Sequence, residues 1–200
     1  MHDKHQQFFD ELAEEWDLRF TAEDLERLQR VVDKISIDSG MDILDLGCGT
    51  GILFDMLRRR VGKDGSVTGV DFSIEMALKA HRNFPFPNVN VVDADAIMLP
   101  FADDTFDMAF AFAAFPHFSD QQRAVSETHR VLRPKARFYI LHLQSSKEVS
   151  EIHHREGGVL EHDVIPSHDD LRAMFNSQKF SDVKIEDHPG LFLLSAVNNA

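Results

Sequence analysis

Asp42-Ile43-Leu44-Asp45-Leu46-Gly47-Cys48-Gly49-Thr50-Gly51-Ile52-Leu53 is the stretch on which the fold turns. It opens with a short apolar run, Ile43, Leu44 and Leu46, broken by one acid, Asp45. Three glycines follow at alternate positions, and the chain then continues into Phe54-Asp55-Met56-Leu57-Arg58-Arg59 with helical spacing of its apolar residues. That order reads as a buried strand, a tight glycine turn and a helix. Glycines there let the backbone turn sharply and let a ligand approach main-chain N–H groups with no Cβ in the way. The helix behind them presents its positive N-terminal end to an anionic group.

The spacing is G-x-G-x-G, not the G-x-G-x-x-G of dinucleotide-binding turns, because Ile52 stands where that motif has its last glycine. Outward from the loop, Ser66-Val67-Thr68-Gly69-Val70 is a β-branched second strand ending at Asp71. Asp71 lies about twenty residues past the last loop glycine, where an acid accepts hydrogen bonds from ribose hydroxyls in nucleotide-binding α/β folds. A carboxylate suits a vicinal diol because its two oxygens can accept both protons. Phe72 beside it is placed to lie along a base. Ser73 caps a helix from Ile74 to about Asn83. Val89 to Val92 is a third strand, leading into Asp93-Ala94-Asp95-Ala96-Ile97-Met98-Leu99-Pro100-Phe101 and then Phe106-Asp107. Met108 to Phe112 is a fourth strand buried on both faces. The residues around its end, Ala111-Phe112-Ala113-Ala114-Phe115-Pro116-His117-Phe118, lie where ligands sit in open α/β sheets.

Asp45-Leu46-Gly47-Cys48-Gly49-Thr50-Gly51 resembles motif I of the class I S-adenosylmethionine-dependent methyltransferases, and the Asp93–Asp107 stretch resembles that family's "Asp-Ala-x-x-Leu-Pro-Phe … Phe-Asp". Near the N-terminus, Phe9, Asp10, Ala13, Trp16 and Asp17 match a segment that forms a lid over the cofactor in many members. The resemblance spans roughly residues 8 to 143. It implies S-adenosylmethionine as cofactor, leaving S-adenosylhomocysteine. It implies contacts from Trp16, Asp45, Gly47, Cys48, Gly49, Gly51, Asp71, Phe72, Met76, Asp95, Ala96, Ala111 and Phe112. Aligned on the family, Asp95 accepts from the adenine amino group and the Ala96 N–H donates to a ring nitrogen, with Asp93 as the competing acid. Met76 reads equally as core, and the N-terminal helix as plain packing. Arg130-Val131-Leu132-Arg133-Pro134 matches a family turn, but Lys135-Ala136 replace its two glycines.

Composition sets the remaining bounds. Two hundred residues, 43% hydrophobic and 28% charged, suit one globular α/β domain. We expect a Rossmann-like seven-stranded, mostly parallel sheet with an antiparallel last strand. Residues 1–38 form a helical lid and 144–167 a substrate-side insertion in this reading. No apolar run reaches the roughly 18 residues that span a bilayer. No apolar signal core follows Met1, so a cytoplasmic protein is expected. The formal net charge of −13 weighs against nucleic acid. The single cysteine, Cys48, reads as a small residue in a tight site.

Arg58-Arg59-Arg60 read as a solvated helix end. Thr21 starts a helix with Asp24 in the capping-box position. Ser119-Asp120 starts another that Pro134 ends, and Phe138 to Leu143 is the fifth strand. Beyond it, His153, His154, His162 and His168 stand among several acids. This segment reads as acceptor-contacting, metal-binding or ordinary surface. The spacing is not H-E-x-x-H, and no metal ligand is assigned. His117 and His154 are the candidate acid–base residues. The expected function is methyl transfer to a small-molecule acceptor. Three alternatives stay open: a NAD-dependent oxidoreductase, a cofactor-binding protein without activity, and a methyltransferase acting on nucleic acid or protein. A homodimer is compatible with all of them.

Overall fold

The computed structural model describes residues 2–199; Met1 and Ala200, the ends of the expected domain, lie outside them. Seven strands form one sheet: β1 Asp42–Leu46, β2 Ser66–Asp71, β3 Val89–Asp93, β4 Phe106–Phe112, β5 Leu132–His142, β6 Phe180–His188 and β7 Leu191–Asn198. Their spatial order is β3-β2-β1-β4-β5-β7-β6. β7 runs antiparallel to both neighbours, and the other neighbouring pairs are parallel. The expected seven-stranded Rossmann-like architecture is therefore present.

β1 sits centrally, and its side chains alternate between two cores. Ile43 joins one with Phe54, Leu57, Val67 and Phe110, while Leu44 and Leu46 join the other with Val125, Phe138 and Phe175. A parallel strand covered on both faces needs apolar residues at successive positions, which explains the run Ile43-Leu44. Helix α2 Ala22–Asp33 precedes β1, and helices α3 Phe54–Val61 and α4 Ile74–Asn83 follow β1 and β2. Helices α5 Gln121–Val131, α6 Ser146–Glu156 and α7 His168–Ser177 serve the second. α1 His2–Leu12 and a 3₁₀ turn, Ala13–Arg19, precede them. β1 and β4 are neighbours, yet the chain leaves β1 for β2 on one side and reaches β4 only after β3. The order reverses between them, and this opens a crevice at their C-terminal ends.

Three local features go beyond the sequence reading, two of them as corrections. β5 does not begin at Phe138. It starts at Leu132 straight after α5, and Pro134 lies within it. Leu132 pairs with Phe106, then the register shifts so that Met108 faces Arg137. Pro134, lacking an N–H, is tolerated in that irregular stretch. The buried Asn198 amide donates to the carbonyls of His129, Leu132 and Arg133 and pins it. Second, Lys135 takes over the conformation of a family glycine, with φ of +71°. A left-handed non-glycine residue costs about 1–2 kcal/mol. Because Lys135 is exposed, Lys135→Gly should raise the urea-unfolding free energy by about 0.5–1 kcal/mol once glycine's greater unfolded freedom is deducted.

Third, the arginine run is not simply solvated. Arg60 donates to the carbonyls of Val32 and Ile35 and pairs with Asp33, satisfying the end of α2. Arg58 bonds Asp55 and covers the Phe86 ring at 3.6 Å. Only Arg59 is exposed. The capping box at Thr21 and Asp24 forms as expected.

Candidate active site

The glycine turn closes over the end of β1. The N–H groups of Gly47 and Cys48 both donate to the Val70 carbonyl, tying the loop to β2. Gly47 and Gly49 have φ of +65° and +54° and are half-buried, so their backbone faces the crevice. A Cβ on Gly47 would sit 2.5 Å from the Ala114 Cβ, while one on Gly49 would point at the Trp16 indole. Gly51 plays another part: it is buried, and a Cβ there would strike Phe54 and Phe84. Cys48 is buried, and burial with the nearby acids Asp71 and Asp45 pushes its thiol well up, which leaves it protonated and unreactive.

Asp45 is fully buried at the end of β1, with Oδ1 lacking a partner among the described residues. Burial first, then repulsion from Asp71, raises its pKa well above the usual carboxylate range and favours its neutral form. Asp71 ends β2. Its Oδ2 accepts from Gly49 N–H at 2.7 Å and its Oδ1 from Ser73 N–H at 2.9 Å. Burial raises Asp71 to about 6 against the pull of those two donors. Each oxygen keeps a further lone pair, and Asp71 lines the crevice.

Two adjoining clefts share Gly47, Asp71, Phe72, His117 and Phe118. One is an aromatic slot walled by Phe9, Trp16, Phe20, Met76 and Phe112. The other, about 440 Å³, reaches Asp95, Ala96, Ser119, Gln121, His162 and Asp163. Of the two competing acids, Asp95 lines this cleft, while Asp93 is exposed. The Asp95 loop is held by Arg130, which donates to the carbonyls of Leu99 and Phe101, and by Glu127, which accepts from Leu99 N–H. That explains why an arginine opens the Arg-Val-Leu-Arg-Pro turn: it braces the crevice from below.

The N-terminal segment covers the slot and is strapped at each matched position. Asp10 accepts from Ser73 Oγ and Glu75 N–H. Lys79 donates to the carbonyls of Ala13 and Glu14 and pairs with Asp17 at 3.5 Å. Asp17 also accepts from Thr50 in the glycine turn. Phe9 is the hub of an aromatic cluster, with ring centroids 5.6 Å from Trp16, 5.8 Å from Phe72 and 5.1 Å from His117.

On the opposite wall, Asp163 gathers residues that the sequence leaves far apart. Its carboxylate accepts from His117 Nδ1 at 2.7 Å and from His5 Nε2 at 3.1 Å. Its own carbonyl accepts from His153 Nδ1 at 2.6 Å, and His117 and His153 rings lie 4.9 Å apart. Burial lowers the pKa of His117, with Asp163 opposing, so the ring is neutral near pH 7. His154 takes no part. Its side chain is 78% exposed, and its nearest charge is Glu161 at 3.9 Å. Adjacent helical residues point to different faces, and His153 is the inward one. Among the described residues, no group of three His, Cys, Asp or Glu side chains has the geometry to hold a metal ion.

Thus Trp16, Gly47, Cys48, Gly49, Asp71, Phe72, Met76, Asp95, Ala96, Phe112 and His117 line the crevice. Asp45, Gly51, Ala111 and His154 are not among its lining residues. Sequence reasoning missed His5, Gln121 and Asp163. For Asp163 no local signal exists, since its partners stand 158 and 46 residues away.

A glycine turn at the switch point of this sheet, an acid ending the next strand and a second acid on the third loop are arranged as in the class of nucleotide-binding α/β folds. Comparison narrows that class: the chain belongs to the class I S-adenosylmethionine-dependent methyltransferases. A methyltransferase-domain family model matches residues 44–140. The O-methyltransferase rstn1 of Aspergillus nomiae is 34% identical over 169 residues, covering 81% of this chain and 74% of that one. A 2-phytyl-1,4-naphthoquinone methyltransferase of Nostoc sp. is 42% identical over 106 residues, covering 51% of this chain and 46% of the relative. The chain thus spans about half the length of several curated relatives. A solved S-adenosylmethionine-dependent methyltransferase from Aquifex aeolicus superposes with a TM-score of 0.66 at 21% identity, over 89% of this chain and 98% of that one. Nothing here favours the oxidoreductase alternative.

Among the described residues, no helix is long and apolar enough to cross a membrane.

Proposed function

We propose that this chain transfers the methyl group of S-adenosylmethionine to a small-molecule acceptor. The observation that carries the reading is Asp71: an acid raised to about 6, lining a crevice beside a half-open glycine turn and beneath an aromatic lid. The residues present fit the group. Gly47 and Gly49 leave their main chain open to its methionine end, and Asp71 has lone pairs left for two ribose hydroxyls. Phe72 and Met76 flank the base, while Asp95 and the Ala96 N–H meet its edge. When bound, the cofactor supplies a methyl group on a sulfonium, a leaving group that needs no covalent assistance. The protein's share is to align the acceptor and to exclude water. Residues 1–38 act as the lid and 144–167 as the acceptor-side insertion. The naphthoquinone methyltransferase relative supports a quinone-like ring as acceptor, and the O-methyltransferase relative supports oxygen as the atom methylated.

Calorimetry with S-adenosylhomocysteine tests the assignment, and Asp95→Asn tests its adenine contact. Asparagine adds donors facing the adenine amino group. Affinity for S-adenosylhomocysteine should then fall about tenfold, and less for an analogue whose purine lacks that amino group, as one hydrogen bond to a charged group is worth about 1.5–3 kcal/mol. Equal losses for both ligands would remove Asp95 from the adenine site. No binding to the wild type would sink the functional reading.

A further inference from the structure

The cluster around Asp163 is more than a wall. We infer that His117 and Asp163 form a carboxylate-oriented general base that takes the proton from a hydroxyl on an aromatic acceptor, so that methylation falls on oxygen. The inference rests on the methyltransferase reading above. It adds the acceptor class and two roles, one for a residue that no sequence motif marks.

The tautomer follows from the partners. A carboxylate only accepts, so Asp163 fixes the His117 proton on Nδ1, 2.7 Å away. Nε2 is then an unprotonated acceptor, and no hydrogen bond from it is found among the described residues. His117 lines both clefts, so its open nitrogen belongs to the crevice where an acceptor must sit. The ring is held on two further sides, by Phe9 at 5.1 Å and His153 at 4.9 Å between centroids. His5 donates to the same carboxylate and keeps Asp163 from rotating away. This is the arrangement that orients a histidine base in general: nucleophile side open, other side bonded to an acid.

The chemistry of the slot selects the acceptor. Beside His117, the walls that the cofactor does not take are Phe9, Phe112 and Phe118, which favour a flat apolar ring. A phenolic hydroxyl has a pKa near 10 and is protonated at neutral pH, so it is a poor nucleophile until a base removes its proton. The step balances as follows. The acceptor oxygen's electron pair forms the O–CH₃ bond, the S–CH₃ pair returns to sulfur to give the neutral thioether, and the O–H proton passes to His117 Nε2. The imidazolium so formed is stabilised by the Asp163 carboxylate. His117 is neutral beforehand because burial outweighs the acid beside it. The charged and titratable groups facing it are Asp163, His5 of α1, His153 of α6 and His142 of β5, with Asp71 on the shared cleft.

The test uses the full chain, with a chromogenic nitrophenol as probe and S-adenosylhomocysteine present. His117→Asn keeps a donor for Asp163 and removes the base. In the wild type the bound nitrophenol should ionise at least tenfold more readily than in water. In His117→Asn that gain should vanish, with S-adenosylhomocysteine still bound within about twofold of wild type, since none of the contacts assigned to the cofactor is made by His117. Turnover of a phenol should fall about 10²–10⁴-fold with KM little changed. Asp163→Asn should retain His117 but lose most of the ionisation gain, through the wrong tautomer. Long-range ¹⁵N spectra of the unliganded wild type should show the His117 proton on Nδ1. A proton on Nε2, a nitrophenol that ionises equally in wild type and His117→Asn, or one that fails to bind overturns the base. Absence of S-adenosylhomocysteine binding would instead overturn the methyltransferase reading, and the ¹⁵N spectra would still judge the dyad.

Discussion

Replacing Asp71 by alanine is expected to weaken S-adenosylhomocysteine binding at least a hundredfold. Two ribose hydroxyls would lose a charged acceptor, each bond being worth about 1.5–3 kcal/mol, and about 1.4 kcal/mol is a factor of ten. The pH dependence sharpens the test. Asp71 titrates at about 6 in the folded chain because burial outweighs the N–H groups of Gly49 and Ser73. Below that pH the group is protonated and accepts less well, so wild-type affinity should decline by up to tenfold per pH unit. The alanine variant should show no such slope. The stability linkage has the opposite sign. Between the unfolded value of 3.8 and the folded value of about 6, the folded chain binds more protons than the unfolded one. Ionising Asp71 therefore destabilises the unliganded fold as pH rises through that window. Ribose hydroxyls bound there would give the ionised acid two further donors beside Gly49 and Ser73, coupling ligand binding to stability. Calorimetry across the window, on both proteins, decides: a flat wild-type profile would detach Asp71 from the ligand.

What the sequence made legible was local. The glycine turn, Asp45 and the start of α3 lie within a dozen residues, and the strand–turn–helix geometry follows from their order. Asp71 and Asp95 were readable because each ends or follows a strand, where the sheet's topology delivers side chains to one edge. Long-range packing was not legible. Asp163 stands in a loop between α6 and α7 and acquires meaning only when α1 and the loop after β4 close on it. Arg60 looked like a helix-end charge until the α2 carbonyls appeared beside it. Pro134 signalled a helix stop, but α5 ends earlier, at Val131, and an amide from the far end of the chain holds the irregular strand. His153, not His154, shares the inward face of α6. Val149 and Ile152 stand four and one residues before His153, so the apolar spacing of α6 puts His153 on the face that the structure buries.

The other large effect expected is on acid stability, and it centres on His142 near the end of β5. The ring is 3% exposed, and its Nε2 has no partner among the described residues. Burial, reinforced by His117 and His153, pushes its pKa down to about 3. The unfolded chain takes up a proton near 6.5 and the folded chain does not until about 3, so between those values the unfolded state binds more protons. Stability is then complete above about pH 6.5, falls as pH drops through the window, and levels off below about 3. A shift of this size corresponds to a loss of about 5 kcal/mol, comparable with the whole stability of many domains. Asp71 works against this, gaining stability on acidification, but it is common to both proteins in the comparison. His142→Leu removes the titrating group and the unpartnered nitrogen together. The variant should match or exceed wild-type stability at neutral pH and retain several kcal/mol more at about pH 4. Urea unfolding at the two pH values measures the difference. If wild type and variant lose stability in parallel on acidification, His142 is charged or hydrated in the fold, and the acid limb belongs to other groups.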